Sequence, residues 1–117
     1  MGYGDTMSAR IPAVKEKLAG IKSMLAAVKG NEGYAAGLQI RLGKVTNVVT
    51  ENESKIWLRT RVGEPMLKEL QAAIDDAYKV LEGSGSALES FEAALKEVER
   101  KAARIEEESR RRSMVVT

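Results

Sequence analysis

Aliphatic side chains recur along nearly the whole chain at alternating steps of three and four residues, separated by mostly polar positions. One stripe runs Ile11, Val14, Leu18, Ile21, Leu25 and Val28, then in the same phase Ala35, Leu38, Leu42, Val45, Val49 and Ile56. A second runs Leu67, Leu70, Ile74, Ala77, Leu81, Leu88, Phe91, Leu95, Val98, Ala102 and Ile105. A mean step of 3.5 residues keeps one edge of an α-helix apolar and turned toward a partner helix. Gly63-Glu64-Pro65 stops the pattern between the two stripes. The expected fold is therefore all-α: an antiparallel helical hairpin of two long helices with kink points, pairing into a four-helix bundle. Arm one is expected over about 8–61, the turn over 62–65, arm two over about 65–112, and a frayed tail over 113–117, all in a single domain.

Local signals refine these arms. Ser8 suits an N-cap and Pro12 suits a first helical turn, so the first helix is expected to begin around residues 8–11. Gly30-Asn31-Glu32-Gly33 interrupts helix propensity, yet steps of three and four carry the stripe across it onto Asn31, Ala35 and Leu38. That continuity reads as a kink in one long helix; a true break into two helices is the alternative. Val45, Thr46, Val48, Val49 and Thr50 are β-branched, so helix there must be held by packing. Asn52 and Arg59 also fall on the stripe, either fixing register or marking its drift toward solvent.

Pro65 fits the first turn of arm two. Acid-before-base pairs at four-residue spacing support this arm: Glu64–Lys68, Asp75–Lys79, Glu92–Lys96, Glu97–Lys101, and Glu106 to Glu108 with Arg110 to Arg112. Gly83-Ser84-Gly85-Ser86 interrupts the arm in phase, and its two glycines cost roughly 2 kcal/mol relative to alanine in a helix interior. A kink or hinge is expected there; a linker between shorter helices, which would itself make a four-helix bundle, is the alternative.

Continuous arms of this size would each be roughly 75 Å long. Two such helices leave Met24, Tyr34, Ile40, Val48, Trp57, Leu58, Met66, Tyr78 and Val80 off the stripes. Self-association or a helical protein partner would cover them. The pairing residues are then Leu18, Leu25, Leu38, Leu42, Leu70, Leu81, Leu88, Phe91 and Leu95.

Composition narrows the chemistry. With no His and no Cys among 117 residues, imidazole catalysis, Ser-His and Cys-His nucleophiles, thiolate redox and nearly all structural zinc sites are excluded. Gly37, Gly43 and Lys44 miss the phosphate-loop spacing by one residue, and Val45 stands where a Mg²⁺-binding hydroxyl belongs. Asp75-Asp76 and Glu106–Glu108 read as solvated helix faces. No catalytic residue, cofactor or metal is expected. No apolar run approaches the ~18 residues of a transmembrane helix, so stable membrane insertion is not expected. Met1 to Arg10 carries no Sec-type leader pattern, and a cytoplasmic location follows as the expectation.

Charge differs between the arms. Residues 1–62 hold ten Lys/Arg against five Asp/Glu, and residues 63–117 hold nine against twelve. Opposite signs favour pairing of the arms, within one chain or between chains. The basic residues are scattered and lack interleaved aromatics, so nucleic acid is not an expected partner.

Trp57 is the single tryptophan and precedes the expected turn at Gly63 and Pro65, where it can pack across the hairpin tip or meet a partner. A cysteine-free helical hairpin with Trp before a central Gly-containing turn resembles the WXG-type substrates of type VII secretion and their small helical partner proteins. Five residues separate Trp57 from Gly63, where that family has one. The resemblance implies antiparallel hairpins that pair into four-helix bundles and leave the cell as dimers without a Sec signal. It also implies an export motif, Tyr-x-x-x-Asp/Glu, whose letters Tyr78 and Glu82 match. The function expected is thus a non-enzymatic interaction protein, a secretion substrate or targeting partner. A structural subunit of a needle, filament or phage assembly, or a cytosolic helical adaptor or chaperone, is the alternative.

Overall fold

A computed structural model describes residues 3–84 and 88–115. The described residues form four α-helices: α1 Tyr3–Ala26, α2 Glu32–Asn52, α3 Gly63–Ser84 and α4 Leu88–Val115. A short 3-10 turn, Ile56–Arg59, lies in the connection between α2 and α3. The all-α expectation holds, but two long helices are not what forms. The longest dimension is 50 Å, well short of a continuous arm of ~75 Å.

The first break falls at Gly30. Its φ of 89° lies in the left-handed region, which a residue with a Cβ enters only at a cost. The end of α1 tightens on approach, Ala27 N–H donating to Ser23 and Met24 carbonyls and Val28 N–H to that of Leu25. The glycine then reverses the chain. Phase continuity across Gly30 therefore does not mark a continuous helix. In a hairpin, both helices need only turn their apolar edges inward, and a short loop satisfies that whatever the register. The Gly83–Ser86 interruption lies partly outside the described residues; α3 includes Gly83 and Ser84, and α4 starts at Leu88.

Side-chain pairs set the packing. Lys15 meets Glu53 and Gln39 meets Lys22, so α1 and α2 are antiparallel. Glu69 meets both Lys101 and Arg104, which places α4 beside α3; the pairs that follow make these two antiparallel as well. Arg10 reaches Gln71 and Lys17 reaches Asp75, which places α1 beside α3 in parallel. Tyr34 reaches Glu92 and Arg41 reaches Glu99, doing the same for α2 and α4. The chain thus forms two helical hairpins side by side, and the α2–α3 connection crosses one end on the diagonal.

The core is the pair of stripes. Every residue of the second stripe is buried, as are those of the first from Ile11 to Leu25 and from Ala35 to Val49; Val28 packs against its edge. All nine pairing residues, Leu18 to Phe91 and Leu95 included, lie in this intramolecular core. Ile56 is the exception, 81% exposed, with Leu58 taking its place at 1%. The cause is local: α2 stops at Asn52, Lys55 turns extended at ψ 126°, and the tighter 3-10 turn re-phases the chain. Asn52, buried at 4% exposure, folds its side-chain amide back onto the Val48 carbonyl, while Arg59 is exposed.

The ends also differ from expectation. Helix α1 starts at Tyr3, with Pro12 inside it. Proline cannot donate to the Ser8 carbonyl, but Pro12 is exposed, and water can take that acceptor. Helix α4 extends to Val115.

Candidate interaction surfaces

The connection between α2 and α3 is built from a few short hydrogen bonds. Lys55 N–H donates to the Asn52 carbonyl, Leu58 N–H to Lys55, Thr60 N–H to Trp57 and Glu64 N–H to Thr60. The Thr60 hydroxyl also donates to the Trp57 carbonyl at 2.6 Å. This leaves α3 starting at Gly63, with Pro65 two residues in, where a missing N–H has no consequence. Gly63 is buried directly against the backbone of Leu58: a Cβ there would lie 2.5 Å from the Leu58 carbonyl oxygen. Its role in this position is steric fit.

Trp57 is half-buried, packed against the core edge, with the Arg112 guanidinium 5.2 Å from its ring centroid. A cation over an indole face is attracted by the ring quadrupole. The expected tip residues Trp57, Gly63 and Pro65 therefore sit together at one end of the bundle, joined there by the last turn of α4. The arginine run of α4 was legible in the sequence, but its approach to Trp57 was not.

Tyr78 and Glu82 stand one turn apart on α3 and line an open groove with Met24, Val28 and Leu81. Tyr78 lies on Gly20 of α1, and the Lys17 ammonium is 4.4 Å from its ring centroid. Glu82 is exposed.

The outward side of α2 presents a second surface. Gly33, Ala36, Gly37 and Ile40 recur at helical spacing and are all exposed, Ile40 at 66%. Nothing lies within 4 Å of where a Cβ on Gly33 or Gly37 would stand. Small residues beside an exposed aliphatic side chain let another helix approach closely.

Between α2 and α4 lies a polar clasp. Arg41 donates to both Glu99 oxygens, at 2.7 and 3.0 Å, and to Glu92 at 2.7 Å. Glu92 also accepts from the Tyr34 hydroxyl. That hydroxyl, and then Arg41, hold the Glu92 carboxyl below the usual carboxylate range, while Glu92 pushes the Tyr34 phenol up. The same pair of carboxylates raises Arg41, Glu99 contributing most. On the other side Lys101 lowers Glu69 at 2.8 Å, assisted by Arg104. Some expected local pairs form: Glu97–Lys101, Glu106–Arg110 and Glu108–Arg112. Glu92 and Asp75 instead face Arg41 and Lys17 across helix interfaces.

Among the described residues no group of acidic side chains is arranged to hold a metal ion. No helix there is long and apolar enough to cross a membrane. No protein-family model, no curated protein and no solved structure matches the chain.

Proposed function

We propose that the chain is a non-enzymatic helical interaction protein that pairs with itself or a related helical hairpin through the outward face of α2. The observation that carries this reading is the exposed Ile40 flanked by Gly33, Ala36 and Gly37 on one helical face. A second helix laid on that face would bury Ile40 and bring backbones close, the geometry small residues permit. The stripe residues are occupied within the chain, so pairing would add a surface to a finished bundle and not complete an open one. Secretion as a WXG-type substrate or targeting partner is the cellular role proposed for such a pair. It is supported by Tyr78 and Glu82 sharing one groove on α3.

The test is mass by light scattering across a wide concentration range, alone and with helical proteins encoded nearby. Dimer or heterodimer mass is expected, lost in Ile40→Asp and Gly37→Leu. A monomer at every concentration that also ignores such partners would defeat the proposal, as would a complex indifferent to both substitutions. Export assays with Tyr78→Ala and Glu82→Ala test the secretion role separately, and regular polymers in negative-stain images would favour the structural-subunit alternative.

A further inference from the structure

The α2–α3 connection combines two features that the bundle does not need for its own packing. Ile56 and Val62 are large aliphatic residues exposed at 81% and 49%. Between Glu53 and Glu64 the chain carries Lys55, Arg59 and Arg61, all exposed, and no acidic residue. Lys55 and Arg59 pair with no carboxylate among the described residues; Arg59 donates to the Glu53 backbone carbonyl at 2.8 Å. Arg110, Arg111 and Arg112 reach the same end of the bundle but are paired with Glu106 and Glu108, and Glu51 also lines the hollow beside Lys55, so the charge offered outward is that of Lys55 and Arg59.

We propose that this end of the bundle docks on an anionic phospholipid surface, with Ile56 and Val62 entering the headgroup region and Lys55 and Arg59 facing the lipid charge. Exposed aliphatic side chains set among cations are the combination that binds such surfaces, because apolar burial and attraction to anionic headgroups act together. The shape argues for lipid over a protein helix. Ile56 lies in the short 3-10 turn and Val62 just beyond it, so the two form no continuous helix face, such as the one Ile40 sits on, for a partner helix to follow. A fluid interface accommodates a protruding connection without a preformed cleft. The docking is peripheral and leaves all four helices outside the bilayer core. It uses the opposite feature set from the α2 face, so the two proposals stand or fall independently.

The experiment is sedimentation of the full chain with vesicles of phosphatidylcholine alone and of phosphatidylcholine mixed with phosphatidylserine, at low and high salt. Trp57, the only tryptophan and next to Ile56, serves as reporter through quenching by brominated lipid. Binding to the anionic vesicles alone is expected, falling with salt and accompanied by quenching of Trp57. Lys55→Gln and Arg59→Gln should each weaken it about fivefold, and Ile56→Asp roughly tenfold. Ile56→Ser, a milder change, keeps the test readable should aspartate disturb the 3-10 turn. Failure to bind, equal binding to both vesicle types, an unquenched Trp57, or full binding by the Ile56 and Lys55 variants would each overturn the proposal.

Discussion

Replacing Gly63 by alanine should destabilise the bundle, although alanine is the better helix former. The new Cβ would stand 2.5 Å from the Leu58 carbonyl oxygen and 2.6 Å from its carbonyl carbon. Both atoms are backbone, held by the 3-10 turn and by the burial of the Leu58 side chain at 1% exposure. No rotamer change can relieve the contact, so the turn or the start of α3 must move. Forced overpacking of this kind costs about 1–3 kcal/mol, against a helix-propensity gain of at most ~1 kcal/mol. The net expectation is a loss of about 1–2 kcal/mol, or roughly 4–8 °C in Tm for a chain of this size. Gly43→Ala is the matched control: Gly43 is in mid-helix, off the proposed pairing face, with nothing within 4 Å of a Cβ. It should gain about 0.5–1 kcal/mol. Urea unfolding followed by circular dichroism at 222 nm measures both. A Gly63→Ala variant as stable as, or more stable than, the parent would refute the steric role assigned to Gly63 and with it the described path of the connection.

Other consequences follow from the core, the turn and the clasp. Phe91 is the largest fully buried side chain among the described residues, so Phe91→Ala should cost about 3–5 kcal/mol in chemical denaturation. Gly30→Ala should lose ~1 kcal/mol through its left-handed φ, where a kinked continuous helix would predict a gain. Glu69, Glu92 and Glu97 titrate below the usual carboxylate range in the folded protein. They bind fewer protons folded than unfolded through the acid range, so their contribution is present at neutral pH. It is lost as pH falls through their folded pKa values. The urea midpoint should therefore hold at neutral pH and drop in acid, and Arg41→Met should shrink the acid-dependent part by removing one cause of the Glu92 shift.

How far the sequence foretold this molecule depends on the range of each interaction. The stripes were legible because helical periodicity is local: Leu18 through Leu25 and Phe91 through Leu95 announce their buried edge within one or two turns. The end of the first stripe departs from the pattern at Ile56 because a 3-10 turn resets the period after Asn52, and nothing in Ile56-Trp57-Leu58 alone distinguishes the two phases. The Gly30 reversal is not distinguished by the spacing, since register continuity is equally compatible with a kink and with a hairpin. Long-range contacts carried least signal. Arg41 finds Glu92 and Glu99 more than fifty residues away, and four-residue spacing pointed Glu92 toward Lys96 instead. Trp57 lies in the α2–α3 connection and Gly63 begins α3, while the Arg112 contact depends on where α4 ends.

The central claim is that one chain folds into two short hairpins that share a core, and a single distance tests it most directly. Lys15 and Glu53 are joined by a 3.1 Å ion pair across α1 and α2. In an unbroken helix their backbones would stand ~57 Å apart. The chain lacks cysteine, so spin labels introduced at these two positions would be the only ones present. Double electron–electron resonance should give a distance under about 20 Å, consistent with neighbouring helices whose axes are 8–10 Å apart. It should persist when labelled protein is diluted into unlabelled protein. A distance near that of the continuous helix, or a short one that disappears on dilution, would contradict the account.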